Sequence, residues 1–158
     1  MAYTSPKTWG VGDVLTAADL NTYVRDNEKA MMREIAHASG STNVSFTTGP
    51  TSIISLGSVA FDGSTEVIIE MTAHSISTNS SGGCHLDLYE DGSLVAELAA
   101  WSATSLTWGA LKVDYRITPT AGSHTFEIKG ANGGGAGSCS VNATGKRPIV
   151  MRAVAVSA

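Results

Sequence analysis

A chain of 158 residues with 42% hydrophobic and 15% charged residues is long enough to bury one core and too short for two ordinary ones. Its charge content lies well under the ~25% of an average globular protein, which excludes a charge-rich disordered tail, and the abundance of Gly, Ser, Thr and Ala fits short strands joined by tight turns. A net charge of -4 and a pI of about 5.4 give no electrostatic reason to bind nucleic acid or an anionic membrane, and no apolar run approaches the ~18 residues of a transmembrane helix, so no membrane insertion is expected.

The opening Met1-Ala2-Tyr3-Thr4-Ser5-Pro6 lacks the basic-then-apolar layout of a signal peptide, which predicts folding in the cytoplasm. Tyr3, Trp9 and Val11 are apolar yet outside any periodic pattern, so residues 1–16 read as an extended arm held by a neighbouring protein or subunit. Thr16 is a good N-cap, Asp19 takes the capping-box position, and Leu15 and Leu20 fit a hydrophobic staple. Residues 17 to about 38 contain no Gly or Pro and predict one helix, ~33 Å long at the usual rise. Its apolar positions fall at Leu20, Val24, Met31 and Ala38, interrupted by Asn27 and Glu34, a stripe suited to packing on a partner rather than to standing alone. Gly40 is a natural stop.

From Asn43 onward the pattern is that of strands. Residues 44–47 and 52–55 are short runs separated by Gly49-Pro50, and residues 66–76 form a longer one. Cys84, Leu86 and Leu88 alternate with His85, Asp87 and Tyr89. Asp91-Gly92 then supplies a hairpin turn, and residues 94–99 return. Leu111, Val113, Tyr115 and Ile117 alternate with Lys112, Asp114 and Arg116, the clearest period of two in the chain. Residues 124–128, 138–143 and 149–156 complete the set. Eight to ten turn-punctuated strands predict an antiparallel β-sandwich of jelly-roll type. The expected division is an N-terminal arm and helix over 1–40, for docking and oligomerisation, and the sandwich over 41–158. The last run is apolar on both faces apart from Arg152. Either Val150 and Val154 make a subunit contact, or the strand lies centrally with loops over its outer face. The glycine-rich run at residues 130–137 has neither a following helix nor a closing Lys-Ser/Thr, so it reads as a hairpin loop rather than a phosphate cradle.

No constellation for catalysis emerges, and the chain is read as non-enzymatic. Cys84 and His85 are strand neighbours pointing to opposite faces, and His74, His85 and His124 fall on three different strands. The two cysteines lack the spacing of a zinc site, no metal or cofactor is expected, and no Gly-x-Ser-x-Gly elbow occurs. The acidic pairs Glu66/Glu70 and Glu90/Asp91 have no evident partner to raise one pKa. Cys84 and Cys139 are read as reduced by default in a reducing cytoplasm, with a disulfide the alternative for a particle that leaves the cell. Trp101 and Trp108 bracket a Ser/Thr segment; they fill the ends of the core or, exposed, would stack on sugar rings.

Residues 8–27, Thr8-Trp9-Gly10-Val11-Gly12-Asp13-Val14-Leu15-Thr16-Ala17-Ala18-Asp19-Leu20-Asn21-Thr22-Tyr23-Val24-Arg25-Asp26-Asn27, resemble the N-terminal signature of virion proteins of tailed bacteriophages, especially those of actinobacterial hosts. Arg147-Pro148-Ile149-Val150-Met151-Arg152-Ala153-Val154 resembles their closing strand. The resemblance implies a structural virion protein, assembled in the bacterial cytoplasm, that docks on other virion proteins by its N-terminus and displays a β-domain. Minor tail or short fibre protein is the first expectation, and capsid decoration or head fibre the second. An adhesin module contacting host-surface glycan through Trp101 or Trp108 is the alternative of another class. A homotrimer is expected, as in helix-stemmed jelly rolls of phage particles. Its interface would use Trp9, Leu20, Val24, Asn27, Met31, Val150 and Val154, with Asn27 fixing the register of the stem.

Overall fold

The computed structural model describes residues 14, 16–19, 34–107, 109–134 and 137–156. The chain is mainly β. Ten strands follow in order: β1 (Glu34–Gly40), β2 (Val44–Phe46), β3 (Thr51–Asp62), β4 (Val67–Ala73), β5 (Ser75–Glu90), β6 (Ser93–Thr107), β7 (Leu111–Ile117), β8 (Ala121–Asn132), β9 (Cys139–Asn142) and β10 (Ile149–Ala155). All their pairings are antiparallel, and they divide into two sheets. The first has the order β1-β10-β4-β7. The second runs β3-β8-β5-β6, with β9 continuing along β5 beyond the end of β8 and β2 paired to β9.

Alternation along each strand creates the core between the sheets. In β4, Val67, Ile69 and Met71 are fully buried while Ile68 and Thr72 are partly exposed. Met151 and Ala153 of β10 join them from the first sheet, and Leu86, Leu88, Phe126 and Ile128 meet them from the second. A strand of period two can bury one face only, so this single apolar layer forces the two sheets together. The run predicted over 66–76 is broken at His74, a bend at which the chain leaves the first sheet as β4 and enters the second as β5.

The continuous helix expected over residues 17–38 is corrected at its far end. Among the described residues only Ala17–Asp19 is helical, and Glu34–Gly40 is a strand. Ala36 and Ala38 pair with Ala153 and Met151 of β10 and pack on the core, whereas His37 and Ser39 pair with Arg152 and Val150 and are exposed. The helix preference of Glu and Ala amounts to only tenths of a kcal/mol per residue, which ladder hydrogen bonds and core contacts outweigh. The sheet therefore reaches across the boundary expected at residue 40. The stem positions Leu20, Val24, Asn27 and Met31, and Trp9 of the arm, lie outside the described residues.

The cysteines also depart from the default expectation of reduced thiols. Cys84 on β5 and Cys139 on β9 form a disulfide with their Cα atoms 6.1 Å apart. The two strands pair directly at Thr78 and Cys139, and the stretch of β5 from Thr78 to Cys84 brings the second sulfur to the same inner face.

Gly130 of β8 marks the tightest packing in the second sheet. A Cβ there would sit 2.7 Å from the ring of Phe46, itself 2% exposed and held in the core. Gly130→Ala is expected to destabilise the fold by about 1–3 kcal/mol, the cost of overpacking a rigid site. Urea unfolding checks this, read as a lower midpoint at unchanged slope.

Candidate functional site

The expected interface residues Val150 and Val154 lie on the outer face of the first sheet, both half-buried. They alternate with Arg152, and the face they share carries a row of charges crossing all four strands. Arg152 of β10 forms an ion pair with Glu70 of β4 and lies 3.8 Å from Glu34 of β1; Lys112 of β7 reaches Glu70 at 3.0 Å. Arg116 and Glu66 extend the row at 3.2 Å. Glu70 is only 8% exposed although it points away from the core, because its two cations roof it. Burial would push its carboxyl pKa up; the hydrogen bonds and charges of Lys112 and Arg152 outweigh that and hold it below the ordinary carboxylate range. The partners of Glu66 and Glu70 are thus cations on neighbouring strands. The signal for them was a single opposite charge in the middle of each of two apolar runs, Glu70 in one and Arg152 in the other.

A second cluster staples the β5–β6 hairpin. Asp91 and Gly92 both have positive φ, 50° and 81°, the geometry that an Asp-Gly pair supplies in a two-residue hairpin turn. The Asp91 backbone N–H donates to the Thr125 carbonyl at 2.9 Å, and Asp91 Oδ1 accepts the Thr125 N–H at 2.8 Å. His124 Nδ1 lies 2.8 Å from Asp91 Oδ2 and 3.1 Å from Glu90 Oε1, while Nε2 lies 3.1 Å from the Thr120 carbonyl. An imidazolium donates in both directions at once. The hydrogen bond to Asp91 is the main cause that raises the His124 pKa, and the Thr125 N–H is the main cause that lowers that of Asp91.

These shifts fix the sign of a pH dependence. The raised His124 contributes stability that is full below its unfolded pKa of about 6.5 and fades as pH rises through the higher folded value. The lowered Asp91 contributes above its unfolded pKa of about 3.9 and fades as pH falls through the lower folded value. The staple is strongest from about pH 4 to about pH 6.5. Thermal midpoints measured from mildly acidic to alkaline pH should fall through the upper edge of this window, and His124→Gln should flatten that fall. An equal slope in the variant would assign the effect elsewhere.

The third region lies on the second sheet. Trp101 of β6 pairs with Cys84 of β5, packs partly on the core, and remains half-buried. Its indole Nε1 is shielded and has no hydrogen-bond partner. On the opposite face of β5, His85 Nε2 lies 3.4 Å from Asp87 Oδ2, and Glu97 of β6 pairs with Asp87. Burial is the largest influence on Asp87 and raises its pKa; His85 opposes this and Glu97 adds to it. Lys129 of β8 stacks over the Tyr89 ring at 4.5 Å and pairs with Glu127 at 3.1 Å. The structure thus places Trp101 on one sheet and Val150 and Val154 on the other. Trp108 lies outside the described residues. The grouping of His85, Asp87 and Glu97 was not legible in sequence, because a register shift between Leu86 and Asp87 decides which residue of β6 stands opposite. No family model matches the chain, and no curated protein matches it.

Proposed function

We propose that the chain is a non-enzymatic structural protein of a tailed-bacteriophage virion, associated with the tail, docking through its N-terminal region and displaying a β-sandwich of jelly-roll type. The observation that carries this reading is the segment at residues 8–27, whose residue pattern resembles the N-terminal signature of such proteins. The jelly-roll reading is supported by strand order. Setting aside the short β2 and β9, the eight remaining strands divide into sheets ordered β1-β10-β4-β7 and β3-β8-β5-β6, and every step along the chain except the β5–β6 hairpin crosses between them, an order that fits two interlocked Greek keys. The His124 cluster supports a structural role, since its acidic and imidazole groups are spent on closing a turn. The disulfide fits a protein that folds reduced in the host and oxidises after release. Imaging the intact particle with a label on this chain tests the reading: density on the tail supports it, a position on the head would move it to capsid decoration, and absence from particles would overturn it.

The particle copy is a trimer in this reading. Val150 and Val154 are half-buried on a sheet face whose charges already pair with one another, so a neighbouring subunit can cover them without stranding a charge. Val154→Asp is expected to lower the solution mass from three chains to one while leaving the far-ultraviolet spectrum unchanged. A monomeric wild type, together with single copies on the particle, would remove the trimer.

A further inference from the structure

Glu90 closes β5, Asp91 opens the turn that follows it, and His124 lies near the start of β8. One ligating atom from each of these three side chains lies within 4.8 Å of the other two. His124 Nδ1 is 2.8 Å from Asp91 Oδ2 and 3.1 Å from Glu90 Oε1. Adjacent donors on an octahedral ion with bonds of about 2.1 Å stand about 3.0 Å apart, so both spacings match neighbouring vertices around one ion. A hydrogen bond spans the same distance, so the spacing permits an ion, and three other features call for one. The first is charge. Two carboxylates face one imidazole, and among the described residues no ion pair joins Glu90 or Asp91 to a lysine or arginine. Glu70 on the first sheet has two such cations to itself. Even a protonated His124 leaves one negative charge of the triad uncompensated, whereas a divalent cation on the neutral ring brings the sum to zero. The second is the orientation of the ring. Nε2 lies 3.1 Å from the Thr120 carbonyl, which takes the Nε2 proton and leaves the Nδ1 lone pair aimed at the carboxylates; ligating histidines are held in this way. The third is the hold on Asp91. Its Oδ1 accepts the Thr125 N–H at 2.8 Å, so the carboxylate is fixed with Oδ2 toward His124 before any ion arrives.

We propose that Glu90, Asp91 and His124 bind one divalent transition-metal ion of the zinc type through Oε1, Oδ2 and Nδ1, with water in the remaining positions. One nitrogen and two oxygen donors without a thiolate suit such an ion, and the imidazole counts against calcium and magnesium, which take all-oxygen shells. Glu90 and His124 are half-buried and Asp91 is exposed, which leaves a path for the ion and its waters from the Asp91 side. The ion takes the place of the proton that Nδ1 otherwise holds, and it fastens the end of β5 to the start of β8 across the same turn. The proposal goes beyond the particle assignment and does not depend on it.

The test uses the full ¹⁵N-labelled chain with its disulfide intact, freed of metal by a chelator and held at mildly alkaline pH, where the imidazole gives up its proton readily. Zinc chloride is titrated in by calorimetry and followed in nitrogen–proton correlation spectra, with magnesium and calcium chlorides as controls. The parent should bind one zinc ion per chain with micromolar affinity, shift the Asp91, Gly92 and His124 amides saturably, and melt at a higher temperature when loaded. Magnesium and calcium should bind at least tenfold more weakly. Glu90→Gln leaves the Asp91–Thr125 bonds in place and should weaken zinc at least tenfold and remove most of the rise in melting temperature. His124→Gln should do the same, and His85→Gln, at a separate imidazole–carboxylate contact, should leave the affinity unchanged. The proposal is overturned if zinc does not saturate these signals, if Glu90→Gln binds zinc as the parent does, if His85→Gln abolishes binding, or if calcium or magnesium binds as tightly as zinc.

Discussion

Phe126→Ala is expected to destabilise the fold by about 3–5 kcal/mol, the range for deleting a fully buried aromatic ring and leaving a cavity. Phe126 has no exposed surface and lies at the centre of the apolar layer between the sheets. The ring of Phe61 meets it edge-on, with centroids 5.6 Å apart and planes at 87°. Truncation removes that contact along with the hydrophobic transfer energy, and the surrounding β-branched and sulfur-containing side chains can close the gap only in part. For a domain of this size each kcal/mol corresponds to roughly 2–4 °C, so the melting temperature should fall by roughly 6–20 °C. Leu94→Ala provides the control. Leu94 is 62% exposed at the start of β6, and its truncation should stay within about 0.5 kcal/mol. Calorimetry of the two variants beside the parent checks both expectations. A Phe126→Ala loss as small as that of Leu94→Ala would mean that the two sheets are not packed on a common layer.

Removing the disulfide should have an effect of the same order. The bridge closes a loop of 55 residues, and the chain-entropy relation assigns a loop of that length about 4 kcal/mol of stabilisation through the unfolded state. The Cys84→Ser, Cys139→Ser double variant should unfold at correspondingly lower urea, and reduction of the parent should reproduce the shift. The closed loop contains all of β6, β7 and β8, so it passes through both sheets, although the bridge itself joins two strands of the second. Denaturant midpoints in the presence and absence of a reductant give the measurement. A shift well under 1 kcal/mol would show that the reduced chain already holds β5 and β9 in register.

The elements that sequence reveals here are those whose pattern is local. β7 follows the alternation of Leu111, Val113, Tyr115 and Ile117, and the β5–β6 turn follows from Asp91-Gly92, whose side-chain freedom and positive φ are properties of two adjacent residues. What sequence conceals is set by distant partners. Glu34, Ala36 and Ala38 have the composition of a helix, and only the presence of β10 beside them makes a strand the lower-energy state. The pairing of Glu70 with Arg152 depends on β10 lying beside β4, and the Cys84–Cys139 bridge depends on β9 lying alongside β5. The grouping of His85, Asp87 and Glu97 depends on more still, since it needs the register shift in the β5–β6 pair. Charges embedded in otherwise apolar runs were the one long-range signal available in the sequence. Glu70 and Arg152 both carried it, and each turned out to be the other's partner.

The central position of β10 in the first sheet bears on how the chain comes off the ribosome. β10 lies between β1, the first of the described strands, and β4, and it is the last of them. Until residues 149–155 have left the exit tunnel, β1 has no neighbour in its sheet, and β4 can pair only with β7. Closure of this sheet therefore waits for its last strand, and its rate is set by a contact that spans more than a hundred residues. Chains with such distant pairings fold on the slow, millisecond-to-second side of the range for small domains. Throughout that interval, the edge of β1 and the inner faces of β4 and of the second sheet are open to other nascent copies. Dense expression from closely spaced ribosomes should therefore trap more of the chain in aggregates than slow synthesis does, with no change in the stability of the finished fold.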